Sequence, residues 1–135
     1  MTKEKEVKIL AINGSYRGGK GYTAFLLDKL RQGVAGAGGE WETVVLAGQK
    51  INRCLSCGTC NRADHYLRCV FEEKDDVKAI FAKMAAADLI VFATHVYVFA
   101  MSALIKTILE RLYSTGCAPG RPPRPQRRPF RRARP

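Results

Sequence analysis

Before residue 119 the sequence contains no proline, and nowhere does it contain an apolar run long enough to cross a membrane. A membrane-spanning helix needs about 20 consecutive apolar residues, and the charged start Met1–Glu6 is unlike a secretory signal. We therefore expect a soluble, cytoplasmic protein without a membrane span. The 135 residues indicate one domain, and 47% hydrophobic content is enough for a core.

Two nucleotide-binding signatures are also missing. The dinucleotide fingerprint G-x-G-x-x-G does not occur. Residues 14–20 nearly match the Walker A pattern, but Gly21 stands where a Mg²⁺-binding Ser or Thr is required. No later strand ends in an Asp that could complete a metal–nucleotide site. These absences disfavour a dinucleotide-binding domain and an NTPase.

The segment from Lys8 to Leu30 is an apolar run followed by a loop and an amphipathic stretch. The run 9–12 is stopped by Asn-Gly, which predicts a buried strand. The amphipathic stretch predicts a helix with one apolar face, formed by Leu26, Leu27, Leu30 and Val34.

The loop between that strand and helix is rich in glycine, hydroxyl groups and positive charge. Unpaired N–H groups and the helix dipole make a helix N-terminus an anion site. Side chains that could complete such a site are Ser15, Arg17, Lys20 and Thr23. A mononucleotide phosphate held without metal suits this loop best; the alternative is a tight turn that binds nothing.

Strands and helices alternate along the chain. Residues 41–46 alternate as a half-covered edge strand does, whereas residues 89–94 predict a central strand covered on both faces. Helices are expected after Asp76 and after Met101. This pattern predicts an α/β fold with a doubly wound parallel sheet of three strands, order 2-1-3, and three helices. The loops after strands one and three would then lie side by side, where ligands of such sheets bind.

The loop His95–Ala100 would thus form a second wall of the phosphate pocket. Tyr97 and Phe99 could lie against a flat ring. The alternative is that both aromatic side chains pack beneath the loop.

Four of the five cysteines form the pattern C-x₂-C-x₂-C-x₈-C, namely Cys54, Cys57, Cys60 and Cys69. In a reducing compartment this density favours metal or redox chemistry over disulfides. Three thiolates spaced three apart can converge on one iron–sulfur cluster. The alternatives are zinc, a redox thiol pair favoured by nearby arginines, or idle cysteines. Cys117 belongs to none of these sets.

Residues 117–135 contain seven arginines, all six prolines and no acid. Setting aside these seven from the 23 Lys and Arg leaves 16 against 12 acidic residues, so most of the net charge of +11 lies here. We expect a folded part at 1–116 and a disordered Arg/Pro-rich tail at 117–135. The hypotheses for the tail are translation in a wrong frame, an arm for RNA or membrane surfaces, and a Pro-rich ligand. Its single aromatic residue, Phe130, gives nucleic-acid binding little support.

Three separated motifs occur in a recognisable order: Asn13 to Arg17, Cys54 to Cys60, and Ala93 to Lys106. Over about residues 6–115 the chain resembles the NADPH-dependent FMN reductase superfamily, in particular its iron–sulfur flavoprotein branch. The resemblance implies a flavodoxin-like fold that binds FMN non-covalently and takes electrons from NAD(P)H or a reduced partner.

The resemblance also implies site residues. The phosphate would be held by Ser15, Arg17, Gly21, Tyr22 and Thr23, and the flavin would be lined by Thr94, His95, Val96, Tyr97, Val98, Phe99, Ala100 and Met101. A [4Fe–4S] cluster would be held by Cys54, Cys57, Cys60 and Cys69. The chain departs from the family at Gly21-Tyr22, where a side-chain phosphate contact is lost, and at His95, where the family has proline. The spacing before Cys69 is also long.

The expected function is an FMN-dependent oxidoreductase with small-molecule or protein redox partners, forming a homo-oligomer. No catalytic acid or base is demanded. Flavodoxin-like domains have five strands and this chain supplies three, so we expect a C-terminal truncation. The rival is a catalytically silent fragment whose basic tail binds polyanions.

Overall fold

The structure is a computed structural model that describes residues 6–115. Parallel strands and helices alternate: β1 (Lys8–Asn13), α1 (Tyr22–Gly36), β2 (Glu40–Val45), α2 (Val77–Ala86), β3 (Leu89–Ala93) and α3 (Ala103–Arg111). A small hairpin of β4 (Val96–Tyr97) and β5 (Ala100–Met101) precedes α3. The expected tail and Cys117 lie outside the described residues.

The sheet has the order β2-β1-β3, with β1 parallel to both neighbours. This confirms the predicted α/β topology. Ile12 pairs with Val44 on one side and with Phe92 on the other. The apolar residues of β1 suit its central position, since Leu10, Ala11 and Ile12 are at most 2% exposed.

One face of the sheet carries the main core, which α2 and α3 cover. Its members are buried apolar side chains from both strands and helices: Leu10, Ile12, Val44, Leu46, Val77, Ile80, Ile105 and Ile108. In α2 and in α3 the buried residues stand three apart, namely Val77 and Ile80 in α2 and Ile105, Ile108 and Arg111 in α3. This spacing places side chains on one helix face. The helices therefore dock through narrow apolar stripes.

Two predictions about burial are wrong for the described residues. Leu27 is buried, but Leu26 and Leu30 are 61% and 51% exposed, because α1 packs mainly on β1 and β2 through one face. β3 was expected to be covered on both faces, yet Leu89 and Phe92 are 51% and 40% exposed. Among residues 6–115, no further strand pairs with the outer edge of β3.

Gly14, directly after β1, is required by the close approach of α3. A Cβ at this position would lie 2.8 Å from Ile105 Cδ1 and 2.9 Å from Ser102 Oγ. We therefore expect Gly14→Ala to lower the free energy of unfolding by about 1–3 kcal/mol, the usual cost of overpacking. Chemical denaturation measures this change.

The matched control is Gly33→Ala within α1, where an added Cβ meets nothing within 4 Å. It should raise the free energy of unfolding by about 0.5–1 kcal/mol, because alanine favours a helix interior. Equal effects of the two substitutions would contradict the packing of α3 on Gly14.

Candidate functional site

The loop that follows β1 is folded by its own polar side chains. Asn13 Oδ1 accepts a hydrogen bond from Ser15 N at 2.9 Å, and Asn13 Nδ2 donates to Gly18 O at 2.9 Å. Ser15 Oγ accepts from Arg17 N at 3.2 Å. Both Asn13 and Ser15 are 1% exposed. Asn13 therefore shapes the loop, a role that its place at the end of a strand did not indicate.

The N-terminus of α1 opens onto this loop without a side-chain cap. Gly21, the residue before the helix, has φ +90°, a conformation that other residues rarely adopt. The first N–H groups of a helix have no partner within it. Arg17 lies beside this end of the helix. Its Cδ is 3.3 Å from the point that a Cβ added to Gly21 would occupy. A donor-rich, positive site for an anion results.

The loops after β1 and β3 meet. Gly14 N donates to Ala93 O at 2.8 Å, and Thr23 Oγ1 lies 3.4 Å from His95 Nδ1. The rings of Tyr16 and Tyr97 make an edge-on contact with centroids 6.5 Å apart. The N-terminus of α1 and the aromatic side chains thus lie together at the carboxyl ends of β1 and β3.

The predicted loop after β3 is a two-stranded hairpin, in which Val96 pairs with Met101 and Tyr97 with Ala100. Its tip residues Val98 and Phe99 have φ of +46° and +63°. Positive φ at both positions is typical of the tight turns that join paired strands. A bulky residue in such a conformation costs about 1–3 kcal/mol. The sequence offered no glycine or asparagine by which this turn could be predicted.

The hairpin presents its apolar side chains to solvent. Val98 is 92% and Phe99 100% exposed, and Val96 is 75% exposed. The alternative that both aromatics pack beneath the loop is therefore wrong for Phe99. At the base of the hairpin, Thr94 Oγ1 accepts from Ser102 N at 2.9 Å and donates to His95 O. Thr94 thus orients the hairpin through contacts within the chain.

All four cysteines of the motif line one cavity of about 710 Å³. The end of α3 and the following turn, Leu109–Ser114, form the opposite wall. The loop that carries the cysteines turns tightly, with left-handed backbone at Ser56, Gly58 and Leu67. The structure brings the distant Cys69 to the same cavity as the C-x₂-C-x₂-C segment.

In the described part of the chain, the four cysteines of the motif, Cys54, Cys57, Cys60 and Cys69, form no disulfide. The hydroxyl and the backbone N–H of Thr59 lower the pKa of the Cys57 thiol, which favours the thiolate form that binds metals. Among residues 6–115, no three His, Cys, Asp or Glu side chains are arranged to hold a single metal ion. The loop thus does not present a preformed zinc site.

A buried ion pair lies behind this cavity. Arg111 Nη1 donates to Asp75 Oδ2 at 2.6 Å, and the two side chains are 2% and 0% exposed. Burial by itself would raise the pKa of Asp75, but the hydrogen bonds from Arg111 and from backbone N–H groups hold it below its ordinary value. Arg111 Nε has no partner among the described residues.

The comparisons with known proteins agree with this architecture. The sequence model of the family "NADPH-dependent FMN reductase" matches residues 7–131. An iron-sulfur flavoprotein of Archaeoglobus fulgidus is 34% identical over 105 residues, 78% of this chain and 48% of the relative. One of Methanocaldococcus jannaschii is 32% identical over 78% of this chain and 51% of its own length. One of Methanosarcina thermophila is 32% identical over 78% and 52%.

The chain therefore spans about half the length of the curated relatives that it matches. No solved structure is a significant match to it. Within residues 6–115, every helix is too short or too polar to traverse a lipid bilayer.

The ion pair behind the cysteine cavity leads to a pH-dependent prediction. Asp75→Asn leaves Arg111 buried without its charge partner, so at pH 7 we expect the free energy of unfolding to fall by about 3–5 kcal/mol. The Asp75 pKa is lowered in the folded state. Its stabilisation is thus present above the unfolded pKa of about 3.9 and is lost as the pH falls through the folded pKa.

The difference between Asp75→Asn and the parent chain should accordingly shrink below about pH 4, as denaturation over a pH series would show. Asp28→Asn is the control, because Asp28 pairs with Arg31 on the exposed surface of α1, where ion pairs contribute little. A difference for Asp75→Asn that stays constant down to pH 2 would contradict the buried pair.

Proposed function

The chain belongs to the NADPH-dependent FMN reductase family, and on that premise we propose that it acts as an FMN-dependent oxidoreductase of the electron-transfer type. The observation that carries the proposal is the meeting of two elements at one sheet edge. These are the uncapped N-terminus of α1 and the aromatic hairpin after β3. The first suits a phosphate and the second a flat ring, the two ends of a flavin mononucleotide.

The residues of the first loop fit the phosphate of FMN. Gly21 gives close access to the helix N-terminus, and Arg17 lies beside it. We propose that Ser15, Arg17, Gly21, Tyr22 and Thr23 hold the phosphate. The buried Ser15 hydroxyl oxygen accepts a hydrogen bond from Arg17 N and so shapes the loop. Its own O–H would donate a hydrogen bond to the phosphate. The backbone of Tyr22 and Thr23 supplies N–H donors.

The hairpin fits the ring system. We propose that residues 94–101 line the flavin, with Tyr97 against the ring and Tyr16 supporting it from the first loop. His95 contacts both Thr23 and Tyr97. It would therefore lie between the phosphate and the ring of the bound cofactor. When bound, FMN supplies hydride acceptance and single-electron transfer. The part of the protein is to bind, orient and shield the cofactor.

We propose that the cysteine cavity holds an iron–sulfur cluster rather than a single ion, because no three metal-ligating side chains of the described residues are arranged around one ion. A zinc ion with bonds of about 2.3 Å would need four sulfurs within about 4 Å of one another. In a [4Fe–4S] cluster each cysteine binds a different iron, so wider spacing suffices. We propose that Cys54, Cys57, Cys60 and Cys69 hold such a cluster. The curated relatives are named iron-sulfur flavoproteins, and all four thiols line one cavity.

The remaining parts of the proposal concern partners and organisation. We propose NAD(P)H or a reduced protein as donor, a cytoplasmic location, a homo-oligomer, a cofactor-binding part at 1–116 and a separate tail at 117–135. The rival function, a silent fragment that binds polyanions, rests on the tail alone. Binding of FMN by the chain would favour the first function, and steeply salt-dependent RNA binding without a flavin would favour the second.

The role of Tyr97 can be tested by flavin titration. Tyr97→Ala should weaken FMN binding about 3- to 10-fold, because an aromatic contact contributes about 0.5–1.5 kcal/mol beyond its buried area. Fluorescence quenching of FMN measures the dissociation constant. Tyr113→Ala is the matched control, since Tyr113 is similarly exposed but lines the cysteine cavity. Equal weakening by the two substitutions would sink the proposed ring site.

The cluster is tested by iron and sulfide assays after anaerobic reconstitution. Cys60→Ser should abolish stable iron and sulfide binding, because it removes one of the four thiolates proposed to hold the cluster. Cys117→Ser should bind as much as the parent chain. Retention of a full complement of iron by Cys60→Ser would rule out this ligand set.

A further inference from the structure

We infer that Arg111 is a positioning residue that clamps the base of the cysteine loop, residues 53–74, onto α3. The role of this clamp in electron transfer rests on the proposed function. The clamp itself follows from the contacts at the two ends of the loop.

The ends of the cysteine loop are joined by hydrogen bonds between residues far apart in sequence. Lys50 N donates to Asp76 Oδ2 at 2.7 Å, and Asp76 N donates to Lys50 O at 2.9 Å. Asn52 N and Nδ2 both donate to Asp75 Oδ2, at 3.1 and 3.2 Å. The loop is therefore closed at its base by contacts within the chain.

One guanidinium joins both sides of that base. Arg111 Nη1 donates to Asn52 O at 2.8 Å and to Asp75 Oδ2 at 2.6 Å. The guanidinium also lies over the ring of Phe71, 5.4 Å from its centroid. Its planar fork and delocalised charge suit these simultaneous contacts, which a lysine ammonium reproduces only in part.

The placement of Arg111 on α3 gives the clamp its functional meaning. This helix of nine residues begins directly after the hairpin, at the cap residue Ser102, and ends at the cavity lined by the four thiols. At 1.5 Å per residue it spans about 13 Å. By fixing the loop to the last turn of α3, Arg111 sets the position of the thiols relative to the hairpin.

Net stability does not by itself explain this arginine. Buried ion pairs are often replaceable by apolar residues of similar volume without loss of stability. The Nε of Arg111 is moreover buried without a partner among the described residues, which counts against stability. The feature that an apolar replacement would not reproduce is the link between the two loop ends and the helix.

The test measures cysteine reactivity in the reduced chain without iron. The variants are Arg111→Lys and the double variant Asp75→Asn/Arg111→Met, which leaves no buried charge unpaired. Asp28→Asn is the control, because Asp28 makes an exposed pair with Arg31 on α1 and does not line the cysteine cavity. Rates of alkylation by iodoacetamide are followed for each cysteine by mass spectrometry, together with hydrogen exchange of the cysteine loop and of β1.

In the double variant the half-buried Cys54, Cys60 and Cys69 should react at least about tenfold faster, since two charge-assisted hydrogen bonds are lost. The exposed Cys57 should change little and serves as an internal reference. Exchange should rise in the cysteine loop while β1 stays protected. Arg111→Lys should give intermediate rates, and Asp28→Asn should match the parent.

Unchanged reactivity in the double variant would overturn the clamp. An equal loss of protection in β1 would also overturn it, because Arg111 would then support the whole fold. The measurement needs no cluster, so a parent chain that fails to bind iron would refute the proposed cluster while leaving this test intact.

Discussion

The pairing of β1 with strands on both of its edges is the constraint on which the candidate site depends. Because β2 and β3 both run parallel to it, the loops after β1 and β3 must leave the sheet at the same edge. The hydrogen bond from Gly14 N to Ala93 O extends this pairing into the loops. The contacts between Thr23 and His95, and between Tyr16 and Tyr97, follow from that adjacency.

A second constraint is the packing of α3. Its buried Ile105 and Ile108 join the core, its first turn approaches Gly14, and its last residue, Arg111, contacts the base of the cysteine loop. One helix thus touches the loop after β1, the hairpin and the cysteine cavity. Substitutions in α3 should consequently affect more than one of these elements.

The order of the strands could be predicted from the sequence, because the length and spacing of the apolar runs indicate which strand is buried most. The hairpin could not be predicted, since Val98 and Phe99 adopt a turn conformation that neither residue favours. The predicted apolar face of α1 was also too wide. Adjacent Leu26 and Leu27 project about 100° apart around the helix axis, and only Leu27 is buried against the sheet.

Some features of the candidate site could likewise be predicted from the sequence, and others could not. The loop between β1 and the N-terminus of α1 could be predicted from glycines, hydroxyls and a helix start, which are local signals. The roles of Asn13, Thr94 and Arg111 could not, because each depends on a partner brought near by the tertiary fold. The convergence of Cys69 on the other three cysteines likewise depends on the closed base of the loop.

The most direct measurement is an anaerobic visible spectrum of the purified 135-residue chain, before and after addition of FMN. If FMN binds where the two loops meet, the absorption bands of added FMN should shift when the protein is present. Absence of any protein-bound flavin, even after addition of excess FMN, would contradict the claim that FMN binds at the carboxyl ends of β1 and β3.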